Sequence, residues 1–247
     1  MASSPPPIYL SVVIPAYNEE KTVLDALTRV DAYRKIKGQV WEVIIVDDGS
    51  TDRTAVRVQD FIASSGLTQI KLLSFDKNRG KGAAVRAGML EACGEYALLT
   101  DTDLSSPIKE VDKLIHKINQ GVDIAIGSRV KRARGCDVRQ SFKRALSGRI
   151  FNFFVRLLVM RGIRDTQCGF KCFRRIAAHD LFASQKLDGF SFDVEILYLA
   201  RKKGYKISEV PVMWAQARES KVSLFRDSLR MLGDLFRIKS IHRRFYV

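Results

Sequence analysis

Asp101-Thr102-Asp103 is the sharpest chemical signal in the chain. Two carboxylates two residues apart in extended backbone point the same way, so both can reach one cation. A hard divalent ion takes oxygen ligands and can bridge a diphosphate. The competing reading is a solvated, acidic entry to a helix, since Pro107 follows. The apolar run Ala97-Leu98-Leu99 directly before the pair favours the first reading, because it places the carboxylates at the end of a buried strand.

Three other clusters carry polar groups. Asp47-Asp48-Gly49-Ser50, with Asp52 beyond, can offer a carboxylate to a base or ribose, while Ser50 or Thr51 can cap the next helix. Asn78-Arg79-Gly80-Lys81-Gly82 sets glycines before a helix, which suits close approach of a phosphate. Its spacing is not that of a P-loop, so a tight strand-to-helix turn is an equal reading. Asp165-Thr166-Gln167-Cys168-Gly169-Phe170-Lys171 mixes acid, amide and base in one stretch, and composition alone leaves it unexplained. His116, His179 and His242 are scattered and receive no chemistry. Cys93, Cys136, Cys168 and Cys172 form no CxxC pair and read as reduced thiols of a cytosolic protein rather than as zinc ligands or a disulfide framework.

The elements that must hold these clusters follow from apolar patterning. The chain has 247 residues, 46% of them hydrophobic, enough for one large α/β domain or two small ones. Continuous apolar runs predict strands at Leu10–Ile14, stopped by Pro15, and at Val43–Val46, Ile70–Phe75, Tyr96–Thr100 and Val122–Ile126. Helical spacing predicts a first helix through Val23, Leu24, Leu27 and Val30 with Asn18 as its cap, then helices at Thr54–Ile62, Ala83–Ala92 and Ile108–Ile118. Strand–helix alternation implies a mostly parallel central sheet with helices on both faces, a Rossmann-like α/β class. In such sheets ligands bind beyond the carboxyl ends of the strands, where Tyr17–Glu19, Asp47–Asp52, Asp101–Ser105 and Ser128–Arg129 fall.

The formal net charge of +15 predicts an anionic partner: nucleic acid, nucleotide phosphate or an anionic membrane face. Basic residues concentrate after Arg129 and interleave with apolar helix faces. Arg144, Arg149 and Arg156 sit among Phe142, Leu146, Phe153, Phe154 and Leu157, and Leu224–Ile241 repeats the mixture. No nucleic-acid-binding pattern accompanies them, which argues against nucleic acid. Such helices can lie in a headgroup plane, pack on the sheet, or form a homodimer contact. Met1 to Pro7 lacks the basic-then-apolar order of a signal peptide, and no run reaches the roughly 18 apolar residues of a spanning helix. The expectation is a peripheral protein on the cytoplasmic face of a membrane.

Taken together, Ser11-Val-Val-Ile-Pro-Ala-Tyr-Asn-Glu-Glu20, then VDDGSTD, NRGKG, DTD and IGSR, in this order, resemble the family 2 glycosyltransferases of the GT-A fold. GIRDTQCGFK, Gly162 to Lys171, with FDVEILY, Phe192 to Tyr198, narrows the resemblance to dolichyl-phosphate β-glucosyltransferases and polyprenyl-phosphate relatives. The resemblance implies a domain over residues 8–221, with a nucleotide-sugar half at about 8–129 and an acceptor half at 130–221, and a basic amphipathic helix over 222–247. It implies a nucleotide pocket at Pro15, Tyr17, Glu19, Val46, Asp48 and Thr102, with Lys221 kept from a C-terminal motif. It implies Mg²⁺ or Mn²⁺ on Asp101 and Asp103, with Ser105 at a position where mannosyl relatives carry a ligand. Arg129, with Arg139 and Lys143, would meet the acceptor phosphate, and Asp165 would orient a partner or act as a base. The implied reaction is inverting transfer of glucose from UDP-glucose to dolichyl or polyprenyl phosphate. The alternatives are mannose from GDP-mannose, or a hydroxyl acceptor.

Overall fold

The computed structural model describes residues 6–65, 69–129, 162–215 and 226–243, the side chains of 226–232 excepted. Arg139, Lys143, Lys221, Cys136 and the amphipathic stretch from Phe142 to Leu158 lie outside these.

Seven strands form one sheet in the order β3-β2-β1-β4-β6-β5-β7. They are β1 (Leu10–Ala16), β2 (Trp41–Asp47), β3 (Ile70–Ser74), β4 (Tyr96–Leu99), β5 (Ile124–Ser128), β6 (Lys171–Arg174) and β7 (Ile207–Pro211). The helices are α1 (Val23–Lys37), α2 (Thr54–Ser65), α3 (Lys81–Glu91), α4 (Val111–Asn119, entered through a 3₁₀ turn at Ile108–Glu110), α5 (Arg175–Ser184), α6 (Phe192–Lys202) and α7 (Arg226–Ile241). All pairings are parallel except those of β6, which runs antiparallel between β4 and β5. The mostly parallel sheet expected from the alternation is present, enlarged by two strands from the second half.

Both faces of the sheet are buried, which is why the first strands are continuous apolar runs. Leu10, Val12 and Ile14 of β1, with Val43 and Ile45 of β2, face the cluster under α1, α2 and α4. Val13, Ile44, Val46, Ala97 and Leu99 face the opposite cluster, under α3, α5 and α6. Gly88 of α3 lies so close to the sheet that a Cβ there would fall 2.4 Å from Val13 Cγ1.

Two local expectations are corrected. Pro15 does not stop β1, which stays in register with β2 through Ala16↔Asp47. The pairing with β4 has ended at Val13↔Leu99, and the Val13 carbonyl accepts the Thr100 N–H on that side. Pro15, two residues on, points the same way, so its missing N–H faces a side with no strand to bond. Asn18 does not cap α1, whose N-terminal boundary is Thr22 with no side-chain cap. Asn18 adopts φ 52° and its Oδ1 accepts the Thr51 N–H at 2.8 Å, tying the turn after β1 to the turn after β2. No helix among the described residues is long and apolar enough to cross a membrane.

Candidate active site

The carboxyl ends of β1, β2 and β4 carry the first polar clusters to one edge of the sheet. At the end of β2, Asp47 and Asp48 are both buried. The Ser50 N–H and hydroxyl donate to Asp47. Asp48 is held by the turn before α3: it accepts the Arg79 N–H at 2.7 Å, the Gly80 N–H at 2.9 Å and Asn78 Nδ2 at 3.0 Å. Burial pushes the Asp48 carboxyl up, while those backbone donors pull it down. Gly49 (φ 67°) passes so near that turn that a Cβ would lie 2.4 Å from the Lys77 carbonyl carbon. Tyr17 is partly exposed beside this cluster, and the Glu19 N–H donates to Thr54 Oγ1 at 2.7 Å. The Val46 side chain is fully buried under α3, so a nucleotide could meet only its backbone.

After β4 the Asp-Thr-Asp stretch is a turn, not the extended chain expected. The Leu104 N–H donates to the Asp101 carbonyl at 3.1 Å and Leu104 takes φ 44°. Thr102 turns inward, 5% exposed, while Asp103 is exposed. Asp103 is oriented by Ser105, whose N–H and hydroxyl each donate to it at 2.8 Å. Asp101 Oδ1 accepts Lys81 Nζ at 2.6 Å. Burial pulls the Lys81 amine down, but Asp101 and Asp193 outweigh it and hold the group above its ordinary value. Lys81, which motif reading leaves inside a glycine turn, thus stands against the first carboxylate of the Asp-Thr-Asp stretch.

The stretch from Asp165 to Lys171, unexplained by composition, borders two charged groups at once. At one end Asp165, 1% exposed, forms a forked pair with Arg129 just beyond β5: Nε to Oδ2 at 2.9 Å and Nη2 to Oδ1 at 2.7 Å, with the Arg129 N–H also on Oδ2 at 2.9 Å. Trp214 lies 5.7 Å from the guanidinium carbon, and Glu209 Oε1 accepts the Asp165 N–H at 2.8 Å. At the other end Gly169 packs on the Asp-Thr-Asp turn: a Cβ there would lie 2.3 Å from Asp101 Oδ2. Lys171, fully buried, fixes this end by donating to the Cys168 carbonyl at 2.6 Å and to Asp193 Oδ1 at 2.5 Å. Burial pushes the Asp193 carboxyl up, against the pull of Lys171 and Lys81. Asp193 lies in the first turn of α6, in the FDVEILY stretch, so the two motifs meet through this pair. Cys168 and Cys172 are buried thiols, both pushed up by burial.

The close approach at Gly169 yields a prediction. Gly169→Ala must displace the Asp101 carboxylate, and a misplacement of about 1 Å at a reacting centre costs roughly a hundredfold in rate. Gly233→Ala in α7, where a Cβ meets nothing within 4 Å, serves as the control with an unchanged rate. Initial rates for both variants, beside their melting curves, check this; a Gly169→Ala enzyme at wild-type rate would show that the carboxylate's position is unimportant.

These motifs on this sheet define a nucleotide-sugar transferase class, and the comparisons agree. The model of glycosyl transferase family 2 matches residues 11–182, and the chain belongs to that family. It is an enzyme of the GT-A fold. Its relatives include dolichyl-phosphate β-glucosyltransferases. That of Dictyostelium discoideum is 39% identical over 242 residues, covering 94% of this chain and 74% of the relative. That of Saccharomyces cerevisiae is 39% identical with the same shares covered, and that of Homo sapiens is 36% identical, with 93% and 74% covered. Among solved structures, glucosyl-3-phosphoglycerate synthase from Mycobacterium tuberculosis, in complex with Mn²⁺, UDP-glucose and phosphoglyceric acid, superposes with a TM-score of 0.68. It is 19% identical, with 94% of this chain and 80% of that chain covered. At that identity the likeness concerns the fold.

Proposed function

We propose that the protein transfers glucose from UDP-glucose to the phosphate of dolichyl phosphate, in one displacement with inversion at the anomeric carbon. The observation that carries this reading is the 165–171 stretch, which sets Gly169 against Asp101 and Asp165 against Arg129. One segment therefore borders both a carboxylate turn suited to a metal–diphosphate and an arginine suited to a second phosphate. The relatives named for this reaction supply the sugar and the acceptor.

The donor set fits a divalent ion. Among the described residues no cluster of three or more His, Cys, Asp or Glu forms a closed cage. Asp101 and Asp103 instead offer hard oxygens on one turn, the pattern of a Mg²⁺ or Mn²⁺ held by one or two carboxylates plus substrate phosphates. When bound, such an ion neutralises charge on the leaving diphosphate. Ser105 orients Asp103, and Lys81 adds a cation beside Asp101. Tyr17, Glu19 and Asp48, with the Pro15 backbone, form the nucleotide side. Arg129 meets the acceptor phosphate, with Arg139 and Lys143 assigned to the same task by the sequence, and Lys221 to the donor. A phosphate monoester has its second pKa near ~6 and is largely dianionic at neutral pH, so it attacks without a strong base. Asp165 then serves to orient Arg129.

A panel of radiolabelled nucleotide sugars with dolichyl phosphate, followed by lipid extraction, tests the assignment. UDP-glucose is expected to label the lipid fastest. Faster turnover of GDP-mannose would move the protein to mannosyl transfer, and label appearing only on hydroxyl acceptors would overturn the lipid-phosphate reading.

A lipid-bound acceptor also calls for a membrane surface. Along α7 and just past its end, Phe236 (62%) and Ile241 (38%) are exposed, as are the basic residues Arg237, Lys239 and Arg243. Each basic residue near an anionic surface contributes about 1 kcal/mol, so a few suffice for reversible attachment. The protein is expected to sediment with anionic liposomes at low salt and to leave them at high salt. Retention in the supernatant at low salt would refute attachment.

A further inference from the structure

The C-terminal helix α7 is bound into the domain by more than apolar contact. Asp234, Leu235, Ile238 and His242 share one face at helical spacing, and all four are buried. Leu235 and Ile238 supply adhesion. The polar pair makes directed bonds to the start of α6: Asp234 Oδ2 accepts Ser191 Oγ at 2.8 Å, and His242 Nε2 lies 2.6 Å from Glu195 Oε1. Burying polar groups is costly unless they are satisfied, and satisfied ones fix geometry in a way apolar packing does not.

Glu195 is fully buried and hands this geometry on. Its Oε1 also accepts the Lys186 N–H at 2.8 Å, and Oε2 accepts the Leu187 N–H at 2.9 Å. The carboxylate thus holds the turn at residues 185–189. That turn lies directly on the start of α3. Gln185 Nε2 donates to the Gly82 carbonyl at 2.9 Å, and the Asp188 carbonyl accepts the Ala83 N–H at 3.2 Å. The Asp188 carboxylate pairs with Arg86 at 2.9 Å. A Cβ on Gly80 would fall 2.5 Å from the Asp188 carbonyl oxygen, and one on Gly82 2.6 Å from that of Leu187. Between these glycines stands Lys81, whose amine meets Asp101.

We propose that His242 and Glu195 are positioning residues for the donor half of the site. Through them α7 sets the 185–189 turn, which sets the Gly80–Ala83 turn and hence Lys81 against Asp101. The inference rests on the reading of Lys81 and Asp101 as donor-site groups. Contiguous contacts carry coupling only if a change at one end moves the other, and this is measurable.

The readouts are affinity for Mn²⁺·UDP by titration calorimetry, KM for UDP-glucose and for a short prenyl phosphate, and the melting temperature. His242→Phe fills the space but offers Glu195 no donor. It is expected to weaken Mn²⁺·UDP binding about fivefold to tenfold and to raise the donor KM in step, within the usual range for coupled sites. The acceptor KM stays where it was. His242→Gln keeps an N–H for Glu195 and recovers most of the affinity. Should His242→Phe fail to fold, Asp188→Asn loosens the same turn from its exposed side and is expected to weaken binding by roughly twofold to threefold. Unchanged Mn²⁺·UDP affinity in both folded variants, equal losses on donor and acceptor, or no recovery in His242→Gln would overturn the relay. Lys81→Ala separates the two levels. If it binds Mn²⁺·UDP as tightly as wild type, the donor-site reading itself is wrong. If it binds weakly while His242→Phe and Asp188→Asn bind normally, only the relay falls.

Discussion

Asp103→Asn is expected to lower sugar transfer by about a thousandfold, roughly 4 kcal/mol of transition-state stabilisation, while leaving the fold intact. The side chain is exposed on the turn after β4, and its contacts are the N–H and hydroxyl of Ser105. Asparagine keeps the shape and one acceptor oxygen, so the folded state loses little; changes at exposed positions are usually within about 0.5 kcal/mol. On the proposed reading, what disappears is a formal charge beside the leaving diphosphate, and a neutral amide oxygen is a poor replacement for a carboxylate on a hard cation. The companion Asp101→Asn removes charge from the same place and also strips Lys81 of its ion-pair partner, so it is expected to lose stability as well as rate. Initial rates across a Mn²⁺ titration, with thermal melts, distinguish the two. An Asp103→Asn enzyme within tenfold of wild type, or undiminished turnover in excess chelator, would remove the metal from the reaction.

The first half of the sheet was legible in the sequence because its signals are local. The strands β1, β2 and β4 are buried on both faces and read as apolar runs, and each is followed at once by its polar cluster. The second half was legible only as a resemblance. β6 has four residues and begins with Lys171, a buried cation whose partner Asp193 lies 22 residues away. No periodicity marks such a strand. α6 is buried from Phe192 through Ala200, so it has no polar face to give the helical stripe, and its buried Asp193 and Glu195 look solvated on paper. Arg129 and Asp165 are 36 residues apart, and only the antiparallel insertion of β6 beside β5 brings the segment carrying Asp165 to Arg129. His242 received no chemistry because its partner is 47 residues away. The turn at Asp101–Leu104 departs from the extended backbone that the strand before it suggested, since β4 ends at Leu99 and the chain must turn toward the helix that follows Pro107.

The Arg129–Asp165 pair carries the other large effect. Asp165→Ala leaves a largely buried guanidinium without its fork of hydrogen bonds, and breaking a buried pair at one partner costs about 3–5 kcal/mol. Arg129→Lys keeps the charge but loses the planar two-point contact, so it is expected to lose acceptor binding as well. The pH dependence follows from how the carboxyl is held. Burial alone would push Asp165 up, but the hydrogen bonds and charge of Arg129 outweigh it and hold the group below its ordinary value. An unfolded aspartate titrates near ~3.9. With the folded value lower still, the pair contributes its stability in full above about pH 5 and loses it as pH falls below about 4 through the folded value. Burial acts against the Arg129 cation, yet Asp165 pushes it up overall, so no loss arises from this pair on the alkaline side. The stability gap between wild type and Asp165→Asn is therefore expected to be constant from neutral pH down to about 5 and to close below about 4. The same direction bears on mechanism. A carboxylate already ionised at pH 5 gives no limb in the rate profile above that pH, whereas the acceptor phosphate titrates near ~6. The acidic limb of kcat/KM is expected near that value in wild type and to persist in whatever activity Asp165→Asn retains. A limb that vanishes with Asp165, together with transfer to a hydroxyl acceptor, would make the aspartate a proton acceptor and turn the reading of this half of the site toward a base-dependent transferase.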